Sequence, residues 1–535
     1  SKFPGSVPNV KVVIGEKTEL QKDERGRYIL KIPPVPDPQL ISFVLTEHFL
    51  QSSRPTMGKE QSKKFREQFE EGLRIQYVNA DTEFTAYETK DSRGKPTIEV
   101  MLKINDRVVT ADVPAGASKG EDEAKTVSTA QAVKNILEVI APALKAIDLD
   151  LSKHENLIKA DRMLMEMGAK DNYKTIGANA TVPVSRALWK MAAKMNGMEL
   201  GQYIRKFEPD AVFENDQPTY FYMNVYNGGL HALKEGEVLG KDRIDLQEVM
   251  ILPVAQTYAE ALSMGDKIDG ALKKLLLKDF SPELITRADE SGFSVKGLGS
   301  TDRAIKYVIA AIRQAGYKPG KDVKLALDTA ASTFYGEKEA GKYDFQNKLI
   351  TSQDMNAYYQ KLAQKYQGIL LSIEDGLDEN DWDHWPQLNT EMKSTGVETI
   401  GDDIFVTQEK RFKKGIELNA ASAILIKVNQ NGTMTGTLDI MKLAKKNGKK
   451  AVVSHRSGET MDDSIADLAW GTRSFGLKTG DPQPAYDFGP GKPYADRPLV
   501  RRAKYDRMVA LEKNDAAMTG GLGSETIEVL TVMFA

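Results

Sequence analysis

Residues 370–402, LLSIEDGLDENDWDHWPQLNTEMKSTGVETIGD, contain two short apolar runs that each end in an acidic residue. The first run ends at Glu374 and the second at Asp402, and the segment between them has helical character. A strand, a crossover helix and a second, parallel strand place both strand ends at the same edge of a sheet. We therefore predict that Glu374 and Asp402 lie near each other.

Four further apolar runs have the same form and end at Asp328, Lys427, His455 and Lys478. Successive run ends are 46, 28, 25, 28 and 23 residues apart, close to the roughly 30 residues per unit of a (β/α)₈ barrel. We expect the longest interval to hold an additional helix. Since the C-terminal ends of barrel strands converge on one mouth, the six side chains are predicted to surround a single site.

Upstream of the barrel region, strand-like runs precede helical ones. TIEVMLKI (97–104) and RVVTADVP (107–114) have strand character, and the Ala-rich segment 124–147 has helical character. This order predicts an α+β domain. We expect three parts: an N-terminal extension (1–76), an α+β domain (77–215) and a barrel domain (216–535).

Composition excludes several classes of protein. Basic and acidic residues nearly balance, 73 against 76, for a net charge of −3, so we expect no nucleic-acid partner. No apolar run approaches the roughly 18 residues of a membrane span, and the first residues do not resemble a secretory leader. We therefore expect a cytoplasmic protein. Because cysteine is absent, any metal ligands must be carboxylate, imidazole or carbonyl groups.

The predicted mouth combines acids with bases. Three carboxylates around one point repel one another unless a divalent cation lies between them, and an all-oxygen set suits Mg²⁺. Of Lys427 and Lys478, one can be a desolvated base with a lowered pKa and the other can bind a substrate carboxylate; the residues alone do not say which. Arg456 and Ser457 are suited to a phosphate. This set favours carbanion chemistry on a phosphorylated acid.

Four long segments carry a family resemblance: SIEDGLDENDW (372–382), GDDIFVTQEKR (401–411), ILIKVNQNGT (424–433) and AVVSHRSGETMDDSIADLAWGT (451–472). They closely resemble signature stretches of the enolases, the 2-phosphoglycerate dehydratases. Shorter matches upstream are DSRGKPTIEV, PAGASKGEDEA, NVYNGG, LQEVMILPV, DESGF and ALDTAAS. The resemblance runs from about residue 77 to 512. It implies an α/β, enolase-like fold: an α+β capping domain followed by a modified (β/α)₈ TIM-type barrel.

The resemblance also implies the reaction and its cofactor. The reaction is the reversible, Mg²⁺-dependent dehydration of 2-phosphoglycerate to phosphoenolpyruvate, a step of glycolysis and gluconeogenesis. Asp328, Glu374 and Asp402 are expected to hold one Mg²⁺. Ser118, on a mobile loop, is expected to ligate a second Mg²⁺ that arrives with substrate.

Acid–base roles follow from the same resemblance. Lys427 is expected to remove the C2 proton, as the Lys base does in this superfamily. Glu290 is expected to help the C3 hydroxyl leave, with Glu248 beside it, because two close carboxylates keep one of the pair protonated. His455 is expected to be an active-site histidine. The expected substrate contacts are His231, Gln247, Arg456, Ser457, Lys478 and Ser118.

Several positions depart from the usual family pattern. Ala115 and Lys119 replace Ser and Thr in the mobile loop, and Ser291 replaces Gly beside the acid. Thr329 and Gly376 each stand where relatives usually have Pro. Residues near 234–242 and 481–498 are additions.

Enolases commonly form dimers through an Arg–Glu ion pair, and the aligned positions here hold Tyr87 and Lys513. A homo-oligomer, most simply a dimer, is still expected. Two other functions are compatible with the sequence. One is a diverged lyase that acts on a related phospho- or phosphono-carboxylate, and the other is a non-catalytic scaffold or binding protein.

Overall fold

The computed structural model describes residues 21–22, 28–32, 73–77, 82–116, 120–147, 149–215, 217–288, 290–336, 338–483 and 499–520. Most of the predicted extension, Ser118, Lys119 and most of the added segment 481–498 lie outside this set. The chain divides into two compact units. One is Ser1–Thr82 with Lys103–Asp106, and the other is Glu83–Leu102 with Arg107–Ala535.

Three short strands are described in the first unit: β1 (Gln21–Lys22), β2 (Tyr28–Ile32) and β3 (Leu73–Tyr77). Strand β2 is central; it pairs antiparallel with β1 and parallel with β3.

The α+β domain begins with the three-stranded sheet β4 (Thr82–Lys90), β5 (Pro96–Ile104) and β6 (Arg107–Asp112). Along β5, Ile98, Val100 and Leu102 are buried, the alternation of a strand with one face on a core. The helices that follow are Thr129–Asn135, a π-helical turn Ile136–Ile140, Ala141–Lys145, His154–Ala169, Ala178–Met195 and Leu200–Phe207. The predicted order of strands before helices is confirmed.

The barrel strands are β7 (Tyr220–Asn227), β8 (Glu248–Pro253), β11 (Val323–Asp328), β14 (Leu370–Glu374), β15 (Glu398–Gly401), β16 (Ala423–Ile426), β17 (Lys450–Ser454) and β18 (Gly476–Lys478). Each pairs with the next in this order, and β18 pairs with β7 to close the barrel. Two short strands, β9 (Ile285–Arg287) and β10 (Phe293–Val295), extend the sheet beside β7.

The barrel helices are Gly229–Ala232, Tyr258–Asp279, Thr301–Gln314, Ser352–Lys365, Trp385–Thr395, Glu409–Leu418, Val428–Asn431, Met434–Lys446, Ser464–Thr472 and Val500–Gly520. Four of them begin after a Ser or Thr whose side chain accepts a backbone N–H of the first turn: Thr257, Ser300, Thr351 and Thr433. Such caps satisfy a donor that has no partner within the helix.

Strand β8 runs antiparallel to both of its neighbours, β7 and β11. Its first residue therefore lies at the mouth, where the parallel strands end. Glu248 is opposite Asn227 and Asp328, and Asp328 is opposite Glu374. The reversed strand is the feature that makes this a modified (β/α)₈ barrel, and the predicted fold class is confirmed.

The barrel core is a cluster of buried apolar side chains that includes Tyr222, Met250, Leu425 and Val452. One prediction is wrong: the long interval after Asp328 holds a 3₁₀ turn and a hairpin, β12 (Tyr343–Phe345) with β13 (Lys348–Ile350), before the single helix Ser352–Lys365. In the described part of the chain, every helix is too short or too polar to span a membrane.

Candidate active site

A cavity of about 290 Å³ opens at the barrel mouth. Its walls include most of the side chains expected from the sequence: His231, Gln247, Glu248, Glu290, Asp328, Asp402, Lys427, His455, Arg456, Ser457 and Lys478. Glu374 is buried beside them and bonded to Lys478. The structure therefore brings together every described residue of the predicted site, and Ser118 lies outside the described residues.

Lys478 lies at the centre of the acidic group. Its Nζ is 2.8 Å from Asp328 Oδ2, 2.8 Å from Glu374 Oε1 and 3.3 Å from Glu248 Oε2. Burial alone lowers the pKa of Lys478, but the three carboxylates outweigh burial and raise it well above the usual lysine value. Lys478 is therefore a cation at neutral pH in this arrangement.

Lys427 forms an ion pair with Asp402 on the other side of the cavity. A desolvated base with a lowered pKa was predicted for one of the two lysines. Burial has the largest single effect on Lys427 and lowers its pKa, but the charges of Asp402 and Asp403 act in the opposite direction, and the net pKa of Lys427 is raised in this arrangement.

Glu248 and Glu290 form a second acidic pair, near His231. Ligand atoms of these three side chains lie within 4.8 Å of one another. Burial and the charge of Glu290 raise the pKa of Glu248 well above its usual value. Burial acts in the same direction on Glu290, but His455 and His231 outweigh it and lower the pKa of Glu290 well below its usual value. The pKa values of the two carboxyl groups are therefore shifted in opposite directions, upward for Glu248 and downward for Glu290.

Two family models cover this part of the chain. Residues 82–204 match the model described as enolase, N-terminal domain, and residues 218–486 match the enolase C-terminal TIM barrel domain. The chain belongs to the enolase family. Its two domains support an enolase-like function on a small-molecule substrate and suggest a lyase of the enolase superfamily.

The mouth of this enolase-family barrel fits a hard cation in its donor chemistry. Asp328, Glu374 and Asp402 offer only carboxylate oxygens, which suits Mg²⁺. Glu374 Oε2 is buried and accepts no hydrogen bond, so it retains a lone pair for a ligand. Lys478 forms ion pairs with Asp328 and Glu374, and Lys427 forms one with Asp402. In this arrangement the two lysines therefore supply the positive charge that balances the three carboxylates.

Asp375 is a residue that sequence reasoning missed. Its two carboxylate oxygens accept the backbone N–H groups of Asp402 and Asp403, each at 2.9 Å. Burial, followed by the charges of Asp403 and Asp402, raises the pKa of Asp375 well above its usual value. Although Asp375, Asp402 and Asp403 lie within 4.8 Å of one another, these backbone bonds make Asp375 a support for Asp402. The feature of the sequence that could have identified Asp375 is its position directly after Glu374.

Glu123 was also missed. It forms a bidentate ion pair with Arg456, with Nη2 to Oε1 at 3.1 Å and Nη1 to Oε2 at 3.2 Å. Gln430 donates to both Glu123 and Asp402, at 3.3 and 3.0 Å. The loop around Glu123 is thereby linked to Arg456 and, through Gln430, to the candidate metal ligand Asp402.

The capping domain also contacts the loop after β17. Ala115 and Gly458 exchange two backbone hydrogen bonds, each 2.9 Å long. Ser92 donates its backbone N–H to Glu459 O at 2.7 Å, and the Ser92 hydroxyl accepts from Glu459 N at 3.1 Å. The Ser-to-Ala departure at 115 therefore leaves a backbone contact intact.

The two departures from proline lie together. The hydroxyl of buried Tyr359 donates to Gly376 O at 2.9 Å and lies 3.2 Å from Thr329 Oγ1. Thr329 and Gly376, the two positions where relatives usually have proline, therefore contact the same tyrosine hydroxyl. Ser291, the departure from glycine, has a φ of +70°, a left-handed conformation that glycine adopts at lower cost.

Proposed function

We propose that the protein is an enolase that interconverts 2-phosphoglycerate and phosphoenolpyruvate. One observation carries the proposal: a lysine, Lys427, and a pair of close carboxyl groups, Glu248 and Glu290, line the same cavity together with Asp328 and Asp402. Removing a proton from one carbon and a hydroxyl from the next requires a base and an acid on opposite sides of the substrate.

Lys427 is the proposed base at C2. In its pair with Asp402 the ammonium keeps its proton, and this pairing opposes base catalysis. Asp402 is also a proposed metal ligand, and sharing its charge with a bound cation would weaken the pair and lower the pKa of Lys427. Asp328, Glu374 and Asp402 would hold Mg²⁺, which would supply positive charge for the substrate carboxylate. Ser118 is the proposed ligand of a second Mg²⁺.

Glu290 is the proposed acid at the C3 hydroxyl. The pKa of Glu290 is lowered and that of Glu248 is raised, so in this proposal Glu248 carries the proton of the pair and Glu290 receives it. In addition to burial, the charge of Glu290 and a side-chain interaction with it both help to raise the pKa of Glu248, which supports Glu248 as the proton-carrying member of the pair. We propose that this proton moves from Glu248 to Glu290, and that Glu290 then donates it to the leaving C3 hydroxyl.

The remaining polar groups position the substrate. Arg456 and Ser457 are proposed to bind the phosphate, and Lys478 the carboxylate. His231 Nδ1 lies 3.6 Å from Glu248 Oε1 and 3.8 Å from Glu290 Oε1, and these distances support a role for His231 on the proposed side of the leaving group. Gln247 donates toward Asp328 at 3.4 Å and is proposed to contact substrate at the same edge.

The direct test follows the absorbance of phosphoenolpyruvate as it forms from 2-phosphoglycerate with Mg²⁺ present. We expect turnover that chelator abolishes. Absence of turnover here, with turnover of a related phospho- or phosphono-carboxylate, would replace this proposal with a diverged lyase. Substrate binding without any turnover would indicate a scaffold protein.

We also propose a cytoplasmic homodimer, with an extension (1–76), a capping domain (77–215) and a barrel (216–535). Tyr87, at the position of the usual interfacial arginine, is 44% exposed in the single chain. Light scattering coupled to gel filtration tests the dimer: a mass of one chain at micromolar concentration would contradict it.

A further inference from the structure

The first turn of the helix Val500–Gly520 forms hydrogen bonds with the loop after β17. Arg501 donates from Nη1 to Arg456 O at 3.0 Å and from Nη2 to Ser457 O at 2.7 Å. One helical turn later, buried Lys504 donates to Thr460 O and pairs with Glu459 at 2.9 Å. The guanidinium of Arg501 is therefore held by contacts other than the one with His455.

Arg501 Nη1 also contacts His455 Nδ1. A guanidinium only donates hydrogen bonds and stays charged in proteins, so the ring nitrogen that it meets must be the acceptor. A neutral imidazole with an accepting Nδ1 carries its proton on Nε2. His455 Nε2 lies 3.0 Å from Glu290 Oε2, and the hydrogen bond therefore runs from His455 to Glu290.

We propose that Arg501 is a positioning residue that keeps His455 neutral, with its proton on Nε2, so that His455 donates to Glu290. The resulting chain of hydrogen bonds runs from Arg501, on the helix Val500–Gly520, through the imidazole of His455 to Glu290.

Among the described residues, the charged groups with the largest effects on the pKa of His455 are Glu290, Arg501 and Glu459. Glu459 is already paired with Lys504. Burial, opposed by Glu290 and reinforced by Arg501, lowers the pKa of His455 to about 4, in agreement with a neutral ring. If Arg501 is removed, Nδ1 is free to take a proton, and the imidazolium would form a full ion pair with Glu290.

The consequence for the reaction rests on the proposed role of Glu290. An ion pair with an imidazolium would stabilise the already ionised Glu290 further and hinder its uptake of the proton from Glu248, and so proton delivery to the leaving hydroxyl. A neutral His455 donates one hydrogen bond and leaves the pair with Glu248 free to share its proton. We therefore expect Arg501→Met to slow dehydration by about 10- to 100-fold, by analogy with the loss of a hydrogen-bond partner that orients a metal-binding histidine.

The test uses the full chain labelled with ¹⁵N-histidine. With five histidines in the chain, the His455 signals are assigned by their loss in His455→Asn. In the wild type we expect an unprotonated Nδ1 and a protonated Nε2 at neutral pH. Arg501→Met should protonate Nδ1, and Arg501→Lys, which keeps a charged donor, should restore the wild-type pattern at least in part.

Arg502→Met is the matched control. It removes a guanidinium from the same helical turn, where Arg502 pairs with Asp266 and Asp506, and should leave the His455 signals unchanged. A protonated Nδ1 in the wild type would overturn the proposal without requiring any variant to fold. A wild-type pattern in folded Arg501→Met would also overturn it. These spectra do not depend on turnover, so failure of the proposed enolase reaction would be seen separately.

Discussion

Removing the carboxylate of Glu123 should destabilise the protein strongly, although Glu123 was not among the expected site residues. The side chains of Arg456 and Glu123 are only 4% and 7% exposed, so Glu123→Ala leaves a buried guanidinium without its carboxylate. Breaking a buried ion pair in this way typically costs about 3–5 kcal/mol. Because Arg456 keeps a bond to Asn429 Oδ1 at 3.1 Å, we expect the lower end, about 3 kcal/mol.

Urea unfolding followed by circular dichroism measures this loss as a lower midpoint with an unchanged slope. Glu121→Ala is the matched control, since it removes a carboxylate from the exposed side of the same loop and should change stability by less than about 0.5 kcal/mol. Equal midpoints for the two variants would show that the ion pair contributes little and would refute the reasoning.

Three further predictions concern the metal, pH and the extension. Asp402→Ala should abolish phosphoenolpyruvate formation while circular dichroism stays unchanged, and full turnover in excess chelator would contradict the metal assignment. Arg243 and burial act oppositely on Glu237, and the net pKa of Glu237 falls to about 2. The ionised Glu237 carboxylate stabilises the folded protein by at most about 2 kcal/mol after solvent screening, and this stabilisation is present above about pH 4.5 and lost as pH falls toward 2. Glu237→Gln should therefore lower the urea midpoint at pH 7 but not near pH 2. Deleting residues 1–76 should leave a folded, active core, and loss of turnover with fold and association intact would place the extension at the site.

The sequence was sufficient for the barrel and for most of the mouth. The polar residues that end the apolar runs in the sequence lie at, or directly after, the ends of strands in the structure. The reason is that a parallel strand in a barrel is buried along its length, and polar residues begin where it ends. Asp328, Glu374 and Lys478 are the last residues of their strands, and Asp402 follows β15 directly. The spacing of about 30 residues identified the units.

Other features had no local signal. Strand β8 is as apolar as its neighbours, so its reversed direction is not visible in its composition, although that direction places Glu248 at the mouth. Arg501 is 46 residues from His455 and lies on a helix with many charged residues. Glu123 and Arg456 are 333 residues apart. Such pairs depend on how the elements pack, and a single sequence does not encode that packing in any short pattern.

The ionisation states were also beyond the reach of sequence patterns. A lysine near a predicted metal site suggests a lowered pKa, yet the immediate partner of Lys427 is Asp402, which raises it. The proximity of Glu248 and Glu290 indicated one shared proton. Which of the two carries it depends on the positions of His455 and His231, which lower the pKa of Glu290.

The central claim, that Lys427 and Glu290 act on different steps, is tested most directly by exchange of the C2 proton of 2-phosphoglycerate in deuterated buffer with Mg²⁺. Proton NMR measures exchange while absorbance measures dehydration. We predict that Lys427→Ala stops both, because no C2 proton is removed, and that Glu290→Gln slows dehydration by about 10²- to 10⁴-fold while exchange continues. Continued exchange in Lys427→Ala would show that another group is the base and would contradict the account.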